Sequence, residues 1–421
     1  MGMSSKQKQI PAVRFNGFTE AWEQRKFSDL IQTMRGGASI APDDYKDNGV
    51  ATVPKGAINS TGIADLSGSK YVSKEFFEKN KNSSVYSDEL VTSLRDLVPS
   101  APNMGRIVKL KGKDKRYLMP QGVYNLILLD EVDENFLISF SNTSKFRRII
   151  SQEKNGSTQV HIRNSEYLGI SIDAPDAEEQ NKIGSFFKKL DVTIALHQRQ
   201  LDNCKQLKNS MMQKIFNQEL RFKDENGKDY PEWQKYDLSE IVDRVTRKNT
   251  GLISELPLTI SAQYGLVDQL TFFNKTIAGV NLEAYYLLKN GEFAYNKSYS
   301  SGYPLGAIKR LDKYDAGLLS TLYICFSPRN NVDSDFLTQY FESTKWHKQI
   351  VNISGEGARN HGLLNIAVGD FFNTEHILPC KEEQQQIATL LYSLDNMIDL
   401  STRKVDSLNE QKKELMKRMF V

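Results

Sequence analysis

The chain contains a second copy of part of itself. Pro175–Phe216 aligns without a gap onto Pro379–Phe420, at a constant offset of 204 residues. Pro175, Glu178, Glu179, Gln180, Ile183, Leu190, Asp191 and Ile194 match Pro379, Glu382, Glu383, Gln384, Ile387, Leu394, Asp395 and Ile398. Leu196, Arg199, Asp202, Lys208, Met212 and Phe216 then match Leu400, Arg403, Asp406, Lys412, Met416 and Phe420. The similarity continues upstream. Phe136, Leu137, Lys145, Phe146 and Ile150 echo Phe336, Leu337, Lys345, Trp346 and Ile350, and Met104, Gly105, Ile107 and Leu110 lie opposite Leu305, Gly306, Ile308 and Leu311. The starts agree as well: Trp22, Phe27 and Leu30 have the spacing of Trp233, Leu238 and Ile241. The order is therefore globular, helix, globular, helix.

The two long repeats read as coiled-coil helices. Each opens with proline, which suits a first helical turn, followed by paired glutamates that favour the positive end of the helix dipole. Apolar residues then recur at alternating steps of three and four. One set is Ile183, Phe187, Leu190, Ile194, Leu201, Cys204, Met211 and Ile215; the other is Ile387, Leu391, Leu394, Ile398, Val405, Leu408, Leu415 and Met419. That 3.5-residue period is a coiled-coil seam. His197 and Ser401 interrupt it at one equivalent position, Lys208 and Lys412 at another. Polar seam residues can fix register at a cost in stability, but the simpler reading of His197 is a frayed or solvated seam position. Helices of about 40 residues span about 60 Å, and two of them separated by one globular domain pair most simply antiparallel. Such a length matches roughly 17 base pairs; geometry alone does not separate a DNA ruler from a plain spacer.

The 421 residues exceed one ordinary core, so two or more domains are expected. Hydrophobic residues make up 39% and charged residues 25%, a globular composition, and a net charge of +3 leaves nucleic-acid binding to local patches. Cys204, Cys325 and Cys380 are odd in number and far apart, which argues against a disulfide framework or cysteine zinc site and fits a reducing cytoplasm. No run of about 18 apolar residues predicts a membrane span, and the N-terminus has no apolar signal core.

The globular stretches read as mixed α and β. Val123–Leu129 and Thr321–Phe326 have strand character, Asn135–Ile150 and Asp335–Ile350 read as amphipathic helices, and Asn226-Gly227 as a turn. Cations gather there with aromatics, amides and glycines. In the first half they are Arg35, Arg106, Lys109, Lys111 and Lys113; in the second, Lys297, Tyr299, Tyr303, Lys309, Arg310, Arg359 and Asn360. Lys and Arg neutralise phosphates, and Arg and Asn read base edges, although a basic loop is also an ordinary solvated surface. Catalytic signatures are missing: there is no H-E-x-x-H, G-x-S-x-G or P-loop, no Asn-Pro-Pro-Tyr-like tetrapeptide, and Gly355-Glu356-Gly357 lacks a Walker lysine. A nuclease-like Glu410-Gln411-Lys412 falls inside the second long helix, where a solvated helix face explains it. No cluster suggests a metal.

Two globular halves, each followed by a long helix opening P-x-x-E-E-Q (Pro175, Glu178, Glu179, Gln180; Pro379, Glu382, Glu383, Gln384), resemble the specificity subunits of type I restriction–modification systems. The tryptophan-bearing entries Phe18–Lys26 and Tyr230–Trp233 strengthen the resemblance. It implies an α+β chain of two pseudo-repeated target recognition domains, 13–172 and 220–377, joined by a central helix, 173–219, and a distal one, 378–421, in an antiparallel coiled coil. Each domain would read one half of a split, asymmetric site on double-stranded DNA, while the helices set the spacer and dock two methylation subunits. Restriction subunits, optionally two, would join. Catalysis, S-adenosylmethionine, ATP and magnesium would belong to those partners, with no cofactor on this chain. A free-standing nuclease or methyltransferase, or a scaffold that binds no DNA, are the competing readings.

Overall fold

The computed structural model describes residues 10–112, 115–275, 279, 281–300, 302–354 and 364–421. The chain forms two compact units: residues 1–199 with 402–421, and residues 200–401. Each unit therefore holds one globular domain, the first half of the long helix that follows it, and the second half of the other long helix.

In the first unit, β1 (Glu23–Lys26) and β2 (Ile31–Gly36) lead to β3 (Leu90–Ser93), β4 (Ile107–Lys109) and β5 (Val123–Leu128). The antiparallel sheet runs β2-β5-β3-β4. All four residues of β3 are buried, so both of its faces are covered. Helices α1 (Glu134–Ser141) and α2 (Ser144–Glu153) follow. Strand β6 (Ser171–Ala174) then pairs with β1, Glu23 opposite Ala174, and returns the chain to the domain entrance before α3 (Ala177–Phe216).

The second unit repeats this plan. Strands β7 (Gln234–Asp237), β8 (Val242–Arg244), β9 (Phe293–Asn296), β10 (Ala307–Arg310) and β11 (Ile324–Pro328) give the sheet order β8-β11-β9-β10. Helices α4 (Ser334–Glu342) and α5 (His347–Ile353) follow. Strand β12 (Glu375–Leu378) pairs with β7, and α6 (Lys381–Met419) begins. The duplication thus extends to strand order. The second domain also has a hairpin, Leu258–Ser261 with Gly265–Asp268.

Local chemistry corrects several expected boundaries. The amphipathic stretch 135–150 is two helices, because Thr143 donates its hydroxyl to the Phe140 carbonyl and accepts the Phe146 N–H, ending one helix and capping the next. Ser343 closes α4 in the same way on the Tyr340 carbonyl. The strand expected from Thr321 starts at Ile324, since Tyr323 N–H closes a turn on Ser320 O. Asn226-Gly227 is a turn: the Gly227 N–H donates to the Asp224 carbonyl. Pro175 and Pro379 precede the long helices instead of opening them. The Asp176 carboxylate caps α3 by accepting the Glu179 N–H at 2.8 Å.

The long helices pack antiparallel within each unit. In the first, Phe187 meets Phe420 at 5.6 Å while Asp191 binds Lys412. In the second, Lys208 donates to Asp395 at 2.5 Å while Arg221, beyond the end of α3, reaches Glu383 near the start of α6. Ile183, Phe187, Leu201, Ile387, Leu391, Leu394 and Val405 are buried, and Leu190, Ile194 and Ile398 are half-buried. The seam lysines are thus ionic partners of the aspartates that the duplication places 17 residues earlier on the opposite helix. Lys412 of the nuclease-like tripeptide is engaged in this way. Each helix also ends with an aromatic plug: Phe216 packs on Trp233 and Tyr340, and Phe420 on Trp22 and Phe140.

One core position differs between the repeats in a way that couples to pH. His376 on β12 is buried; its Nδ1 lies 2.9 Å from the Tyr340 hydroxyl and its Nε2 2.8 Å from Thr374 Oγ1. Thr374 already donates to the Phe371 carbonyl, so it accepts from Nε2–H, and in the neutral ring that burial favours Nδ1 accepts from the Tyr340 hydroxyl. The equivalent first-domain residues are Phe140, Ile170 and Ile172, all apolar. Burial pushes His376 down to about 4. The unfolded chain then binds the extra proton between its own value near 6.5 and about 4, so this contribution is complete above 6.5 and is lost as pH falls through that window. The second unit should lose roughly 3 kcal/mol by pH 4 from this group. The triple variant Tyr340→Phe, Thr374→Ile and His376→Ile should flatten that dependence in thermal unfolding; an unchanged pH profile would contradict it.

Candidate nucleic-acid interface and helix clasp

The P-x-x-E-E-Q motif is a structural clasp. Glu179 is fully buried and receives Arg14 through two hydrogen bonds, at 2.7 and 2.8 Å, and the Trp22 indole N–H at 3.0 Å. Glu383, equally buried, receives Arg221 at 3.2 and 2.7 Å and the Trp233 indole at 3.2 Å. Both arginines are held more strongly protonated than usual, chiefly by the hydrogen bond to their glutamate. The next residue ties in the domain. Gln180 accepts the Asp133 N–H and donates to the Pro175 carbonyl, and Gln384 does the same with Asp333 and Pro379. Asp133 and Asp333 in turn cap α1 and α4. One motif therefore joins domain entrance, domain helix and long helix. Glu179 and Glu383 face inward, whereas Glu178 and Glu382 beside them are exposed.

The candidate DNA-contacting cations divide into engaged and open groups. Arg35 donates to Asn125 Oδ1 at 3.1 and 2.7 Å and lies 3.8 Å from Glu89. Arg106 binds the Pro102 carbonyl and Asn142, and Lys109 both oxygens of Glu134. Lys309 pairs with Glu342 and lies over the Tyr303 ring; Arg310 pairs with Asp312 and Asp335 and is almost wholly buried. These side chains organise their own domains. Lys111 and Tyr299 are exposed, and Lys297 makes one long bond, 3.4 Å, to the Ile366 carbonyl. Lys297 lines a cleft of about 370 Å³ with Arg244 and Tyr286. Lys113, Arg359 and Asn360 lie outside the described residues. Arg14 and Arg221 were invisible to sequence spacing, because they precede their tryptophans by 8 and 12 residues respectively.

Among the described residues, no three His, Cys, Asp or Glu side chains gather to hold a metal ion, and no helix is long and apolar enough to cross a membrane. The arrangement is one of duplicated binding domains on a helix pair. The profile of the type I restriction modification DNA specificity domain matches the chain twice, over residues 19–206 and 230–410. The chain belongs to that family.

Its relatives span its full architecture. It is 23% identical to the type I restriction enzyme MjaVIII specificity subunit of Methanocaldococcus jannaschii, covering 94% of this chain and 91% of that one. It is 21% identical to the putative MjaX specificity subunit of the same organism, over 98% and 95%. The crystal structure of the type I restriction–modification S subunit from M. genitalium superposes with a TM-score of 0.60 at 16% identity, over 98% of this chain and 99% of that one, which establishes a shared fold.

Proposed function

We propose that the chain is the non-catalytic subunit that gives a type I restriction–modification complex its DNA sequence specificity. Each globular domain reads one half of a bipartite site on double-stranded DNA, and the site is asymmetric because the domains differ in their exposed side chains. The observation that carries this reading is the repeated architecture: one sheet order built twice, each copy clasped through Glu179 or Glu383 to the same helix pair. The helix pair sets the spacer between the half-sites.

The same duplication supports two docking sites for methylation subunits. Leu196 and Leu400 are equivalent residues on the outer faces of the long helices, 62% and 65% exposed, and Val192 and Met397 add apolar surface beside them. Large apolar side chains exposed in a row on a solvated helix mark a partner surface. S-adenosylmethionine would sit on those methylation subunits, and ATP and magnesium on restriction subunits where these join. A cytoplasmic location follows from this role. The test is DNA binding by the purified complex with its methylation subunit. Addition of this chain should convert weak, sequence-indifferent binding into tight binding of one duplex, still steeply salt-dependent. Equal affinity for all duplexes would reject the reading.

A further inference from the structure

The cleft beside Lys297 has a counterpart in the first domain. Strands β3 and β9 occupy the same place in their sheets, and a cation follows each: Arg95, two residues beyond Ser93, and Lys297, one residue beyond Asn296. Strands β5 and β11 are likewise equivalent, and they begin at Val123 and Ile324. Between the end of one strand and the start of the other, each domain opens a cleft, about 400 Å³ in the first and about 370 Å³ in the second. The third wall also matches. Val160 and His161 line the first cleft and Leu364 and Asn365 the second, at the 204-residue offset of the long helices. Three separate stretches of the duplication therefore return to build one cleft in each domain. The walls persist while the polar side chains change, which is what two readers of two different half-sites require.

Charge in the first domain favours this end of the sheet. Lys55 and Arg95 are exposed, and neither forms an ion pair or a side-chain hydrogen bond with a described residue. Exposed Gln121 and Gln159 stand beside them. The Arg95 stem lies across the turn at Gly122, where a Cβ would come within 2.9 Å of Arg95 Cδ; the glycine, at φ +95, is what lets the side chain cross. The loop after Asp96 walls the cleft with Leu97 and Asn103, and cations anchor it: Arg147 donates to the Ala101 and Met104 carbonyls, Arg106 to Pro102 and Lys154 to Pro99. Their partners here are carbonyls, so three cations stand at the cleft wall against one lining carboxylate, Asp96, which accepts the Val98 and Asn103 N–H groups. Burial even pushes Arg147 down to about 10. The opposite end of the same two strands opens a cleft lined by Asp88, Glu89, Asp130, Glu131, Asp133 and Glu134, which would repel a phosphate backbone.

The geometry points to these two equivalent clefts as the surfaces that hold the two DNA half-sites, with Arg95 on base edges and Lys55 on the backbone in the first domain, and Lys297 in the corresponding place in the second. This rests on the specificity-subunit reading. Unengaged Arg and Gln donors are the groups that read guanine and adenine in the major groove.

The test uses the complex of the full chain with its methylation subunit. The variants are Arg95→Ala with Lys55→Ala, and separately Lys297→Ala. The readouts are affinity for the cognate duplex at several salt concentrations and the set of adenines methylated in a host. The first variant should bind roughly 10- to 100-fold more weakly. Its salt dependence should be shallower by about one counterion for each phosphate left without its cation. It should relax bases in one half of the motif only, and Lys297→Ala should relax the other half. Thermal midpoints should hold, since these side chains support no described ion pair. Unchanged affinity and motif, or equal relaxation of both halves by either variant, would overturn the assignment. A wild-type complex that selects no duplex would instead bring down the specificity reading itself.

Discussion

Replacing Glu179 or Glu383 with alanine should cost about 3–5 kcal/mol, the largest loss expected from any single motif residue in this chain. Each carboxylate is fully buried and answers two donors, a guanidinium and an indole N–H. The arginine side chains are also mostly shielded, 11% and 24% exposed, so deletion of the acid strands a cation and an N–H away from water. The cost lies in the unpaired groups more than in the missing attraction. Arg14→Met combined with Glu179→Leu should therefore recover part of the loss, because it removes the charge with its partner. Thermal and denaturant unfolding of the full chain checks both statements. A loss below about 1 kcal/mol for Glu179→Ala, the size of an ordinary surface change, would show that the clasp does not hold the domain to its helix.

Matched seven-residue insertions after Leu201 in α3 and after Val405 in α6 should widen the spacer of the recognised site and leave both half-motifs unchanged. Seven residues add one heptad, so the apolar seam keeps facing its partner. They lengthen each helix by about 10 Å, the equivalent of about 3 base pairs. The two helices are 40 and 39 residues long and run without a break, so an insertion is transmitted along the axis. Insertion of three residues instead would rotate the seam out of register and should abolish assembly. A seven-residue insertion that left the spacer unchanged would count against the ruler function of the helices.

Much of the fold was legible because it was written twice. The 204-residue offset located both long helices, and the three-and-four spacing found residues such as Ile183, Phe187, Ile387 and Leu391, which lie buried. The clasp was half legible. Glu179, Gln180, Glu383 and Gln384 stood out, but their arginines did not, because Arg14 arrives from the N-terminal segment and Arg221 from the linker beyond α3. Val13 donates to the Arg418 carbonyl at the end of α6, so a separate strand of chain serves in the first unit where a continuous one serves in the second. The proposed DNA-contacting surface was least legible. Composition finds cations but not their partners, and only the folded chain separates Arg310, held by Asp312 and Asp335, from Arg95, held by no described acid. Arg95 carries no signal of its own in sequence, where it stands alone between apolar Leu94 and acidic Asp96.

The central claim, that this chain supplies sequence specificity to a methylating partner, is tested most directly by mapping methylated adenines across the genome of a methylation-free host. The host would express the methylation subunit with and without this chain. The account predicts one split, asymmetric motif with a fixed spacer, present only when this chain is present. A stable complex of the two proteins that leaves the genome unmethylated, or a motif that appears without this chain, would contradict it.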